Sequence, residues 1–98
     1  MSTSAVRTDD RVADVTVTED ELSVRLVDGR MITVPLAWYP RLLKATKAQR
    51  NNWRAVGAGY GIHWPDVDEH LSTEGLLRGA PAPGVKKKPL NKVKIKKD

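Results

Sequence analysis

Residues 12–36 alternate between apolar and polar side chains with a period of two, which is typical of β-strands with one buried face. The polar residues 19–20 supply a turn that sets Val17 opposite Leu22, so the apolar rows of two strands meet. The apolar residues expected on this buried face are Val15, Val17, Leu22, Val24, Leu26, Ile32, Val34 and Leu36.

The connection between the second and third of these strands contains Asp28-Gly29, which favours a tight hairpin. A two-residue loop would set Val24 against Thr33, an apolar residue against a polar one. A three-residue loop, residues 27–29, sets Val24 against Ile32 instead. Because the buried face fixes the register, we predict the longer loop with Gly29 in the left-handed conformation.

After Pro35 the apolar spacing becomes helical, with residues 36, 39, 42 and 43 on one stripe. Proline is tolerated only in the first turn of a helix, so a helix should begin near Pro40. Thr46 and Gln49 form a capping-box pattern. We therefore predict a second helix that begins at Thr46 and runs to about Trp53.

Residues 56–64 alternate again, and this pattern predicts one continuous strand that Pro65 ends. Its apolar face would carry Val56, Ala58, Tyr60, Ile62 and Trp64. The other face would be almost bare, with Gly57, Gly59, Gly61 and His63, and we expect it to lie beside Thr16, Thr18, Ser23 and Arg25. Residues 66–70 are predicted to form a short turn or 3₁₀ segment, and Ser72 should cap a helix that Gly79 ends.

Charge divides the chain into two parts. Residues 1–79 hold ten Lys or Arg and eleven Asp or Glu, a net charge of −1, whereas residues 80–98 hold seven Lys and one Asp, a net charge of +6. Together with the periodicity, this predicts a flexible segment over 1–11, a single α+β domain over 12–79 and a disordered, Lys-rich tail over 80–98. We expect one small antiparallel sheet of about four strands with short helices on one face.

The absence of cysteine excludes disulfides and Cys-ligated zinc, and it fits a reducing compartment. No apolar run approaches the ~20 residues that span a bilayer, and no signal-peptide pattern opens the chain. We expect a cytoplasmic protein without a membrane partner.

Two signatures in this sequence, Val-Pro-Leu-x-Trp-Tyr-Pro-Arg-Leu at 34–42 and Gly-Ile-His-Trp-Pro-x-x-Asp-Glu at 61–69, resemble the bacterial domain of unknown function 2442 family. The resemblance covers about residues 12–79 and implies an antiparallel sheet with helices on one side. The resemblance also implies a partner from another small family, domain of unknown function 4160, because members are paired with it in gene pairs proposed as toxin–antitoxin modules. The family has no established catalytic residues, and His70 stands here where members often carry an acid.

The stretch from His63 to His70 also contains Asp66, Asp68 and Glu69, all of them possible metal ligands. Their spacing matches no standard metal motif, and a strand and a turn need not bring the two histidines together. An acid–base pair of Asp66 and Asp68 can be imagined, but so small a domain rarely encloses a dry pocket. We predict a structural corner, with no metal, no cofactor and no catalysis, and a small metal-dependent enzyme is the third hypothesis after the two that follow.

The main functional hypothesis is a non-catalytic protein-interaction domain. The antitoxin-like member of a two-gene module is one form of it, with a neighbouring-gene small protein as the partner. The expected interaction surface comprises Arg25, Trp38, Gly57, Gly59, Gly61 and His63. The alternative is a nucleic-acid-associated protein that contacts phosphates nonspecifically through Lys86, Lys87, Lys88, Lys92, Lys94, Lys96 and Lys97.

Overall fold

The computed structural model describes residues 7–82, which form two antiparallel sheets and three short helices. The first sheet has the order β1-β2-β3 and the second the order β4-β5-β6. The elements are β1 (Val12–Val17), β2 (Glu21–Leu26), β3 (Met31–Pro35), α1 (Pro40–Leu43), α2 (Lys47–Asn51), β4 (Arg54–Val56), β5 (Gly61–Trp64), β6 (Glu69–Ser72) and α3 (Thr73–Arg78), with 3₁₀ turns at Leu36–Trp38 and Gly57–Gly59. The α+β class is confirmed, but the single sheet of about four strands is wrong.

The register of the first sheet follows the apolar rows, as predicted. Val24 pairs with Ile32 and with Val15 on its two sides. The Gly29 N–H donates to the Leu26 carbonyl over 2.9 Å, and Gly29 has a φ of +99°. The three-residue loop is therefore confirmed.

Residues 9–11 are attached to this hairpin loop. The Asp28 carboxylate accepts hydrogen bonds from the backbone N–H groups of Asp9 (2.8 Å) and Arg30 (3.0 Å), and the Val27 N–H donates to the Arg11 carbonyl. These backbone donors, together with the Arg30 guanidinium, lower the pKa of Asp28. Residues 9–11 of the predicted flexible segment thus make hydrogen bonds to the first sheet, and residues 1–6 lie outside the described part.

Both helix starts predicted between Pro35 and Asn51 are confirmed. Pro40 occupies the first turn of α1. At α2, the Gln49 N–H donates to the Thr46 hydroxyl (3.1 Å) and the Thr46 N–H donates to the Gln49 side-chain oxygen (2.9 Å), so both halves of the capping box are present. The helix ends at Asn51, short of the predicted Trp53.

The continuous strand predicted over 56–64 is wrong, because the chain reverses direction at the glycines. Ala58 (φ 60°, ψ 25°) and Gly59 (φ 96°) both have positive φ, and the Tyr60 N–H donates to the Gly57 carbonyl, as in a type I′ turn. Val56 and Gly61 consequently face each other across the β4–β5 hairpin. The bare glycine face therefore does not exist, and β5 pairs with β4 and β6 rather than with the strand that carries Arg25.

Ala58 is strained in this turn, since the left-handed region disfavours residues with a Cβ, whereas asparagine tolerates it. We expect Ala58→Asn, which creates the preferred Asn-Gly pair of a type I′ turn, to raise the free energy of unfolding by about 0.5–1 kcal/mol. Ala58→Val is the control and should lower it. Urea unfolding of the three proteins measures both changes, and an Asn variant no more stable than the Val variant would contradict the assignment of the turn.

The predicted turn over 66–70 is also wrong in its second half. The turn occupies residues 65–68, with Asp68 at a φ of 54°, and β6 begins at Glu69. Trp64 pairs with Glu69, and His63 faces His70 directly. The two histidines are thus cross-strand neighbours, although the sequence did not predict their convergence.

One hydrophobic cluster joins side chains from both sheets and from the helices. Its fully buried members include Trp64, Tyr39, Leu22, Leu26, Leu36, Leu42 and Ile62. Trp38 and Trp53 are half-buried and pack against it, so all three tryptophans contribute to the core, as expected for a chain without phenylalanine.

The predicted domain boundary after Gly79 excludes residues that contact the fold. Gly79 ends α3 in the left-handed conformation, as predicted, but the Ala80 N–H then donates back to the Gly75 carbonyl. The Tyr39 hydroxyl donates to the Ala80 carbonyl (3.1 Å), and the Ala82 N–H donates to the Trp38 carbonyl (3.1 Å). Residues 80 and 82, which belong to the predicted tail, thus form hydrogen bonds with the fold, and residues 83–98 lie outside the described range.

Within residues 7–82, no helix has the length and the apolar composition needed to cross a membrane.

Candidate functional site

The residues predicted to form an interaction surface lie on several different elements. Arg25 lies in the first sheet, on the face opposite the core, whereas Gly61 and His63 lie in the second sheet. Gly57 and Gly59 belong to the turn before β5, and Trp38 ends a 3₁₀ turn. Of this set, the structure brings together Gly57, Gly59, Gly61 and His63, which lie in the turn and in the strand that follows it.

A groove borders β6 and is a more coherent candidate. It consists of two cavities of about 200 Å³ and 430 Å³, both lined by Glu69, His70 and Ala82. We call it the β6 groove, and its lining residues are Tyr39, Pro40, Arg41, Asp68, Glu69, His70, Leu71, Ser72, Gly75, Leu76, Arg78, Ala80, Pro81 and Ala82. Sequence reasoning missed it because it depends on β6 and on residues 80–82.

Glu69 provides a buried carboxylate where the two cavities meet. It is only 8% exposed, because its place opposite Trp64 puts it on the inner face of the second sheet. Its Oε1 accepts a hydrogen bond from the His70 N–H (3.0 Å). Among residues 7–82, none of the ion pairs includes Glu69.

Tyr39 contributes a neutral polar group to the same groove. It is buried, and its hydroxyl donates to the Ala80 carbonyl. Burial raises the pKa of Tyr39, and the nearby negative charge of Glu69 raises it further. The phenol therefore stays protonated, and Glu69 is the buried source of negative charge.

The arginines that line the groove have partners other than Glu69. The Arg41 guanidinium donates to the Asp68 backbone carbonyl (2.5 Å). Arg78 forms an ion pair with Glu74 (3.0 Å), which lowers the pKa of the Glu74 carboxyl. The arrangement can thus accept a basic group at Glu69, beside the apolar side chains of Leu71 and Leu76.

The possible metal ligands from the sequence are only partly brought together. His63 and His70 lie on the outer face of the second sheet with their ring centroids 6.2 Å apart. Asp66 instead accepts a hydrogen bond from the Asn52 side chain (3.0 Å). In the described part of the chain, no group of three or more His, Cys, Asp or Glu side chains is arranged to hold a metal ion.

Comparison with known proteins identifies a family and a fold. The family model described as protein of unknown function (DUF2442) matches residues 12–82. A crystal structure of a protein of unknown function from Rhodospirillum rubrum is similar, with a TM-score of 0.64, 28% identity and coverage of 76% of this chain and 92% of that one. An uncharacterised Chromobacterium violaceum protein, solved by NMR, has a TM-score of 0.64 at 20% identity over 76% of this chain and 70% of that one. No curated protein matches the sequence.

Proposed function

The chain belongs to the DUF2442 family, and we propose that it is a non-catalytic protein-interaction domain whose β6 groove binds a partner segment carrying a basic side chain. The observation that carries this proposal is the buried Glu69 carboxylate without an ion-pair partner in the described residues. A buried charge of this kind is costly unless it is paired. An incoming lysine or arginine would supply the missing charge.

The shape and the apolar walls of the groove fit an extended protein segment. The lining follows the four residues of β6, Glu69 to Ser72, a length of roughly 13 Å in extended conformation. Leu71, which is half-buried on the same face of β6 as Glu69, would contact apolar side chains next to the basic one. Binding energy would come from those contacts, and specificity from the charge pair at Glu69.

A finer proposal is that this domain is the antitoxin-like member of a two-gene module. It rests on the resemblance of the two sequence signatures to a family for which such gene pairs have been proposed. In that case the partner is the small protein encoded by the paired gene, and its binding segment carries the basic residue that reaches Glu69.

Selection from a displayed library of random dodecamer peptides on the full chain tests the groove. We expect the selected peptides to contain a Lys or Arg flanked by apolar residues. Glu69→Gln should weaken their binding at least about thirtyfold, the effect of removing one member of a buried charge pair. The control is Asp14→Asn, which removes an exposed acid of β1 outside the groove lining and should leave the affinity within about twofold.

The Glu69→Gln protein should unfold at an equal or higher temperature than the parent, because the change removes an uncompensated buried charge. If that melting temperature is observed, a loss of peptide binding in Glu69→Gln cannot be attributed to unfolding. Peptides without a basic residue, or peptides that bind the Glu69→Gln protein as tightly as the parent, would contradict the proposal.

The alternative function, nonspecific binding of nucleic acid, is favoured by the seven lysines between residues 86 and 97. It differs from the main proposal in its response to salt. Binding of a single-stranded oligonucleotide should then weaken steeply from low to physiological salt and should not change in Glu69→Gln.

A further inference from the structure

We propose that His63 and His70 form a two-imidazole binding site for a divalent transition-metal ion of the zinc class. The site lies on the outer face of the second sheet, and it does not depend on the peptide-binding role of the groove. His70 borders both regions, but His63 is not among the residues that line the groove.

The strand register places the two imidazoles side by side. The Thr73 N–H donates to the Tyr60 carbonyl (2.9 Å). Because hydrogen-bonded and non-hydrogen-bonded pairs alternate along an antiparallel ladder, the pair two positions further along, Leu71 and Ile62, is again a hydrogen-bonded one. His70 and His63 then form a non-hydrogen-bonded pair, the position at which cross-strand side chains approach most closely.

The distance between the rings suits one shared ion. Zinc binds imidazole nitrogen at about 2.0–2.1 Å, which puts the centroids of two coordinating rings roughly 5–6 Å apart. The observed centroid separation is 6.2 Å, at an interplanar angle of 48°. The observed separation is therefore within about 1 Å of the value that one shared ion requires.

Both rings are available for coordination. Within residues 7–82, neither imidazole takes part in a side-chain hydrogen bond or an ion pair. His70 is exposed and His63 is half-buried at the surface of the sheet. Gly61 gives the His70 ring its space, since a Cβ at Gly61 would lie 3.1 Å from His70 Nε2.

The composition of the chain makes this pair its preferred site for such an ion. The sequence contains two histidines and no cysteine, so no other imidazole or thiolate competes. Water, or a side chain of a bound partner, would complete the coordination shell. Arg54 faces His63 across the β4–β5 pair, and its positive charge weakens the attraction of a cation.

Calorimetric titration of the untagged full chain with Zn²⁺, in a buffer that does not chelate metal, tests the site. We expect one ion per chain. His63→Gln and His70→Gln should each weaken binding at least about tenfold, because two ligands on one ion bind it far more tightly than either alone. Arg54→Gln should tighten binding, and Asp66→Asn, the control, should leave it unchanged.

The ¹⁵N–¹H spectrum of each variant without metal establishes that it is folded. His63→Gln is the cleaner variant, since it leaves the packing of His70 on Gly61 in place. Zinc affinity retained in both histidine variants, or no saturable binding by the folded parent chain, would overturn the proposal. If His63→Gln still binds the peptide, the β6 groove works without the zinc site, and a failure of the zinc proposal then says nothing against the groove.

Discussion

Replacing Trp64 with alanine is expected to lower the free energy of unfolding by about 3–5 kcal/mol and to leave much of the chain unfolded at room temperature. Trp64 is fully buried and is the largest side chain in the core. Its loss would leave a cavity between the second sheet and the helices, which a domain of this size can only partly refill.

The same residue also links β5 to the helical segment. Its indole N–H donates to the Arg50 carbonyl (3.0 Å), and the Arg50 side chain donates to the carbonyls of Leu42 and Leu43 at the end of α1. Trp64→Phe keeps most of the buried volume but removes this hydrogen bond, so it should cost only about 1–2 kcal/mol. Guanidinium unfolding followed by circular dichroism measures both variants. Equal effects of Ala and Phe would show that the hydrogen bond, rather than the volume of the side chain, dominates.

The second large effect on the free energy of unfolding is expected from removal of residues 80–82. A chain that ends after Gly79 should be about 2–4 kcal/mol less stable than one that ends after Ala82. The shorter chain loses the hydrogen bonds that Ala80 and Ala82 make with Gly75, Tyr39 and Trp38. It also uncovers Tyr39, which is 1% exposed in the full fold.

Thermal unfolding of these two truncated chains isolates residues 80–82, because residues 83–98 are absent from both. We expect a clearly higher melting temperature for the longer chain. Identical melting temperatures would mean that residues 80–82 contribute nothing to the fold and that the domain ends at Gly79.

The first sheet could be predicted because its apolar period is unbroken and its two turns are polar. Each one-residue shift would have moved Val24 and Ile32 to the solvent side, so a single register remained. Capping residues were equally informative, since the Thr46 and Ser72 side chains satisfy N–H groups at the starts of α2 and α3.

The second sheet could not be read from its pattern alone. Alternate glycines over 57–61 fit a strand with a bare face, but they also permit the positive φ values of a reversing turn, and hairpin pairing selects the turn. β6 was missed because Glu69 and His70 suggested a polar turn. Alternation of Glu69 and Leu71 with His70 and Ser72, after the four-residue turn 65–68, is the signal that identifies it.

The candidate site depends on these two missed features. Glu69 becomes a buried carboxylate only when β6 pairs with β5, and the groove closes only when Ala80–Ala82 pack beside Tyr39. The contact of residues 80–82 with Tyr39 joins distant parts of the chain, and such a contact leaves no local pattern in the sequence.

Partner recognition at Glu69 is tested most directly by NMR titration of the ¹⁵N-labelled full chain with a selected Lys-containing peptide. We expect shift changes concentrated at Asp68–Ser72, Leu76 and Ala80–Ala82, with the largest at the His70 amide, which donates to the Glu69 carboxylate. These changes should disappear in Glu69→Gln and persist in Asp14→Asn. Shift changes centred on the first sheet around Arg25, or shift changes that are the same in Glu69→Gln, would contradict partner recognition at Glu69.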